Sequence, residues 1–251
     1  MASWGIVVTV SAPEEKALAS AAPARQVCPC VQHARHAYTR ARTDWLAHID
    51  VDEFLHALRP LGHILDAVPD DLRALKVEAF GAMHDPLLPD DIDTARAFRG
   101  ALRHEFWPKL SAALGDYRKI IRDGMLRHAV GKVILRTGVP GMQPKLHGAM
   151  IDGTFVNTPE RDTEIQLLHF HAEDRKAWLT ALPFGTGKGA CQFKPALKSF
   201  LQQADAEDID RCHLKTQVLP VDLAEDLQAL GRVLIVDLRL RQNVQALREA
   251  R

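Results

Sequence analysis

The chain has 251 residues, 47% of them hydrophobic, which fills a sizeable core in one large α/β domain and is read here as a single domain over 1–251. Lys+Arg and Asp+Glu both number 32, so no net field draws the chain to nucleic acid or anionic lipid. The longest apolar runs, Gly5–Val10 and Val233–Val236, fall far short of the roughly 20 residues that span a bilayer.

Gly5–Val10 reads as a first strand, and the Ala-rich Glu14–Ala22 as the helix after it. The start carries no basic residue and so no secretory signal, which makes the cytoplasm the expected location. The Cys28-Pro29-Cys30 spacing is too tight for an ordinary disulfide or zinc knuckle. With Cys191 and Cys212 these are therefore expected to be reduced thiols.

Val27–Arg42 has helical spacing and leads into Trp45–Ile49, expected as the next buried parallel strand. Phe54 to Leu65 supports short helical structure, Leu75–Phe80 a strand and Asp85–Asp91 a loop. Arg96 to Arg127 is loosely helical, Val130–Arg136 a strand, and Thr137–Pro144 a turn or loop. The C-terminal third predicts a strand at Ile165–Phe170, helices at Lys176–Leu182 and Pro195–Ala204, and a strand–helix pair from Val233 to Ala250. Its helical portion covers about 176–251, with a soft linker candidate at Ala204–Asp210.

Asp50 and Asp52 follow the apolar run Trp45–Ile49, where loops at the carboxyl ends of parallel strands reach ligands. Carboxylates at i and i+2 in extended chain point to one side and can share a hard divalent ion, Mg²⁺ or Mn²⁺. The plainer alternative is that Asp50, Asp52 and Glu53 cap a helix starting near Phe54.

The string Asp44-Trp45-Leu46-Ala47-His48-Ile49-Asp50-Val51-Asp52-Glu53-Phe54-Leu55 resembles the signature of glycosyltransferase family 2-like proteins, and Arg25-Gln26 with Tyr38 resembles the helix that precedes it. The resemblance implies a GT-A fold, a mixed sheet flanked by helices, whose aspartates hold metal and a nucleotide-sugar diphosphate. It also implies a hydroxyl acceptor and a histidine metal ligand. Leu168–Trp178 resembles the element that supplies it, giving His169 for metal and Lys176 or Arg175 for phosphate. Lys145-Leu146-His147-Gly148 resembles an element that faces donor or acceptor, although a lone His147 also suits a plain turn.

These expectations define the candidate site. Asp50, Asp52 and His169 bind the metal, and His147, Lys176 and Arg175 bind the donor. Asp52 takes part in catalysis, and Glu78 or Asp85 is the base of an inverting reaction. Phe184–Gly189 is glycine-rich but does not spell a phosphate loop.

Only about 35 residues separate Val10 from Trp45, room for one helix pair at roughly 1.5 Å rise per residue. The resemblance implies two further strand–helix steps there, so the nucleotide-binding half is reduced. A sheet lacking those strands exposes an edge, which favours self-association. Two other functions stand beside sugar transfer: a non-catalytic remnant acting as an interaction module, and a metal-dependent phosphoryl-transfer or hydrolytic enzyme.

Overall fold

A computed structural model of the chain describes residues 29–85, 95–102, 106–126, 129–156, 158, 161–170, 175–186 and 194–249. The expected first strand and helix, Gly5–Val10 and Glu14–Ala22, lie outside the described residues, as does the loop beyond Asp85. The fold is mixed α/β with a multi-stranded antiparallel sheet. It divides into two compact units, described separately below.

Unit one comprises the described residues up to Val51, Leu55–Glu78 and Val130–Leu167. Helix α1 (Pro29–Arg40) matches the helical spacing seen in the sequence. It buries Val31, Ala34 and Tyr38, one stripe at intervals of three and four. The Tyr38 hydroxyl donates to Arg136 O at 2.7 Å and accepts from Val139 N–H at 3.2 Å.

Strand β1 (Trp45–Ala47) pairs with a later strand, β5 (Lys132–Arg136), placing Trp45 opposite Arg136. This pairing is antiparallel, which corrects the expected parallel strand. A short apolar run does not itself encode the direction of its neighbour, and a brief turn leads from Ala47 to β2 (Glu53–Ala57). Phe54 thus lies in a strand, and the helix starts only at Leu61, as α2 (Leu61–Asp66). With no helix at Phe54, the acids before it are not the N-cap of one there.

β3 (Ala74–Ala82) runs antiparallel to β5, with Leu75 opposite Ile134. One face of this ladder, through Ala74, Val133 and Leu135, packs with Tyr38, Met142 and Ala149. The last two belong to β6 (Met142–Pro144) and β7 (Ala149–Ile151), which form a small sheet with β8 (Thr154–Phe155). Part of the expected loop Thr137–Pro144 is therefore strand, since Gly141 at φ 72° turns the chain into β6. β2 pairs with β9 (Arg161–His169), Leu58 N–H donating to Glu164 O at 2.9 Å.

Unit two comprises Asp52–Phe54 and the described residues of Ala79–Ala129 and Leu168–Arg251. Here the end of β3 pairs antiparallel with β4 (Ala97–Gly100), and β4 with β10 (Val233–Ile235). β4 replaces the helix expected from Arg96. Phe98 and Leu102 share helical spacing, but a β-carbon on Gly100 would lie 2.9 Å from Phe80 Cε1, so the glycine serves close strand packing. The ring of Phe98 meets Phe170 edge-on at 5.3 Å, and Phe54 meets Phe170 at 5.4 Å.

Helices α3 (Trp107–Leu114), α4 (Arg175–Thr186), α5 (Pro195–Gln203), α6 (Ala206–Gln217) and α7 (Val221–Ala229) surround a second core. Leu102, Leu114, Trp178, Leu197 and Leu227 fill it. The charged Ala204–Asp210 stretch is no linker: Asp205 caps α6, its carboxylate accepting from Asp208 N–H at 2.8 Å. α8 (Leu240–Glu249) ends the described chain and buries no residue.

Cys212 is a free, buried thiol whose pKa burial pushes up to about 12. Cys30 is disulfide-bonded, which corrects the expectation of four reduced thiols. That expectation rested on the tight Cys28–Cys30 spacing and on a reducing cytoplasm. No helix among the described residues is long and apolar enough to cross a membrane.

Candidate functional site

The two aspartates of the signature string have different partners. In unit one, Asp50 follows β1 and accepts a hydrogen bond from Lys132 Nζ at 2.8 Å. The lysine side chain is 2% exposed and the aspartate 44%, so the ion pair has one foot in the core and one in water. The β1–β5 register delivers it: Ala47 lies opposite Ile134, and in an antiparallel pair the residues after Ala47 run back toward Lys132. Burying an ammonium without an anion costs on the order of several kcal/mol.

Two histidines feel this pair. Burial lowers the His48 pKa, aided by Lys132 and opposed by Asp50, and Nδ1 of His48 is buried without a hydrogen-bond partner. Burial also lowers the His147 pKa, while a hydrogen bond to Gly131 O raises it. That bond, 3.1 Å from Nδ1, makes Nδ1 the donor and leaves Nε2 with acceptor character. His147 sits in the turn between β6 and β7.

In unit two, Asp52 precedes β2 and its carboxylate Oδ2 lies 3.4 Å from Nε2 of His169. The imidazole is buried at the end of β9, and Phe170 N–H donates to Asp52 O at 2.8 Å. That backbone bond ties the turn that carries Asp52 to the end of β9 that carries His169.

The remaining candidates are dispersed. Glu78 is buried in β3, and Asp85 is exposed just beyond it. Arg175, at the start of α4, is ion-paired with Asp210, whereas Lys176 beside it is exposed. His171 lies outside the described residues, and so does Gly187 onward in the glycine-rich loop. No group of three or more His, Cys, Asp or Glu able to hold a metal occurs among the described residues.

Lys132 and His48 were not expected at the site from the sequence, although His48 lies in the Asp44–Leu55 string and Lys132 in the Val130–Arg136 strand. A lysine inside the apolar run Val130–Leu135 was the available signal, because a cation in a buried strand demands an anion nearby. Comparison with protein-family models, with curated proteins and with solved structures finds no match to this chain.

Proposed function

We infer that the chain is a metal-dependent glycosyltransferase of GT-A type, moving a sugar from a nucleotide-diphosphate donor to an acceptor hydroxyl. The observation that supports this is the 3.4 Å approach of Asp52 to His169, two residues distant in sequence that the family resemblance pairs as metal ligands. Neighbouring donors on an octahedral ion at about 2.1 Å lie about 3.0 Å apart, so the pair suits two adjacent positions on Mn²⁺ or Mg²⁺. A mixed imidazole and carboxylate set favours Mn²⁺.

The chemistry a divalent ion supplies at such a place is neutralisation of the leaving diphosphate. Asp52 would be the direct carboxylate ligand of such an ion, because Asp50 of the same motif is engaged by Lys132. Exposed Lys176 suits a phosphate partner better than Arg175, which is held by Asp210. Asp85, being exposed, is better able than buried Glu78 to take the acceptor proton in an inverting reaction.

A thermal-shift screen of UDP, GDP and their sugar conjugates with and without Mn²⁺ tests this. A ligand that binds only the native state raises the midpoint, and that rise should need Mn²⁺ and vanish in Asp52→Ala. Absence of any metal-dependent rise would sink the proposal. Release of free sugar or phosphate without an acceptor would move it to the hydrolytic class.

A further inference from the structure

In unit two, the sequence pattern of α8 asks for more burial than the helix receives. Its residues Leu240, Val244 and Leu247 recur at intervals of four and three, the spacing of an apolar stripe along one helical face. Only the first of them meets a core. Leu240 packs against the cluster of Phe80, Phe98 and Phe170, whereas Val244 and Leu247 stand exposed.

A ten-residue helix, about 15 Å long, is marginal by itself in water. Its first turn is tied down: Asn243 N–H donates to Arg239 O and its side-chain amide to Leu238 O, both at 2.9 Å. Residues 241–249 are nonetheless all exposed.

The charges point to what covers this face. Arg241 and Arg248, seven residues apart, share one flank of the stripe. Glu249 lies on the opposite face, where it accepts from Gln245 Nε2 at 2.9 Å. Over 239–249 three arginines stand against that single acid, so a chain that is neutral as a whole is cationic here. The nearby Asp237 is engaged by Arg96 at 3.7 Å.

Two other occupants fit less well. A second copy laid antiparallel would bring the arginine flanks together, and two side chains cover far less than the roughly 800 Å² per partner of a standard interface. A protein groove takes anchors at i, i+4 and i+7, but the first of these, Leu240, already belongs to the core. A lipid surface needs neither enclosure nor matched shape. It takes shallow apolar side chains while arginines reach headgroup phosphates.

We propose that α8 lies flat on an anionic bilayer surface, with Val244 and Leu247 dipping into the headgroup boundary and the Arg241 and Arg248 flank turned to lipid phosphates. One short helix makes such contact peripheral and reversible. It acts independently of Asp52 and of any metal.

Flotation of the full chain with vesicles tests it, using phosphatidylcholine alone and phosphatidylcholine with an equal part of phosphatidylserine. The chain should float with the anionic vesicles only, and less of it as salt rises. Leu247→Ser should weaken that binding about tenfold through lost apolar burial. Arg248→Gln should weaken it about fivefold, the loss of one basic contact near the surface. Gln242→Ala, on the opposite face, should leave it unchanged.

Circular dichroism establishes that each variant is folded. Asp52→Asn should float as the parent does, which separates this surface from the sugar-transfer proposal. No flotation, equal flotation with neutral vesicles, or indifference to Leu247→Ser would each overturn the inference. A dimer in sedimentation equilibrium that Leu247→Ser dissolves would overturn it too, by giving the face to a second copy.

Discussion

Lys132 in unit one and Arg99 in unit two are both sunk among apolar side chains, at 2% and 3% exposure, yet their charges are balanced by different means. Lys132 holds a carboxylate, Asp50. Arg99 donates through one terminal nitrogen to the carbonyls of Gly124 and, at 3.1 Å, Thr216, and its Nε has no partner. Burial pushes the Arg99 pKa down to about 10, still high enough to keep it charged near neutrality. An ammonium is a compact point charge that needs an anion, whereas a delocalised guanidinium spreads over carbonyl dipoles. One unit solves burial with an ion pair and the other with backbone.

That difference can be broken most severely at Arg99. Arg99→Ala should cost about 3–5 kcal/mol, since it opens a cavity and strands two carbonyls. Urea unfolding measures the loss. Iodoacetamide labelling of Cys212, followed by peptide mapping, should also rise, because Thr216 links both residues through its hydrogen bonds to Cys212 O and Arg99. Arg99→Lys should still cost about 2 kcal/mol, because a point charge cannot serve both carbonyls. A neutral Lys substitution would erase the proposed contrast.

The unit-one arrangement should respond to its anion instead. Asp50→Asn should cost about 2 kcal/mol, less than a fully enclosed pair because Asp50 is half exposed. Adding Lys132→Met to Asp50→Asn should recover most of that loss, since no unpaired charge remains in the core. Additive losses in the double variant would show that the two residues do not act together.

A smaller effect comes from pH. His48 and His147 both have pKa values lowered from 6.5 by burial, so the unfolded chain takes up their protons first as acid is added. The stability they contribute is complete above pH 6.5 and is lost as pH falls through their lower folded values. His48→Leu should flatten that acid limb in denaturant titrations. An unchanged limb would mean that the histidines are equally accessible to protons in both states.

The strands at Leu75–Phe80 and Ile165–Phe170 were legible in the sequence because each is a short, mainly apolar stretch, although Lys76, Glu78, Gln166 and His169 interrupt them. Their direction was not, since nothing local distinguishes a parallel from an antiparallel neighbour. β4 and β6 escaped because each is short and one ends in a glycine needed by Phe80. At the candidate site, the nearness of Asp52 and His169 was legible through resemblance alone. The Lys132–Asp50 pair was not, because strand pairing between distant segments creates it.

β5 has a further consequence for how the sheet assembles. Lys132, Ile134 and Arg136 lie on one side of the strand by its two-residue alternation. The first is fastened to Asp50, and the last donates to the carbonyls of Val68, Pro69 and Leu72 while stacking 4.3 Å over Trp45. A slip of two residues would keep the apolar pattern but carry both cations away from their acceptors. The two ends of one short strand therefore act as pins against misalignment, a fidelity that hydrophobic burial alone does not provide.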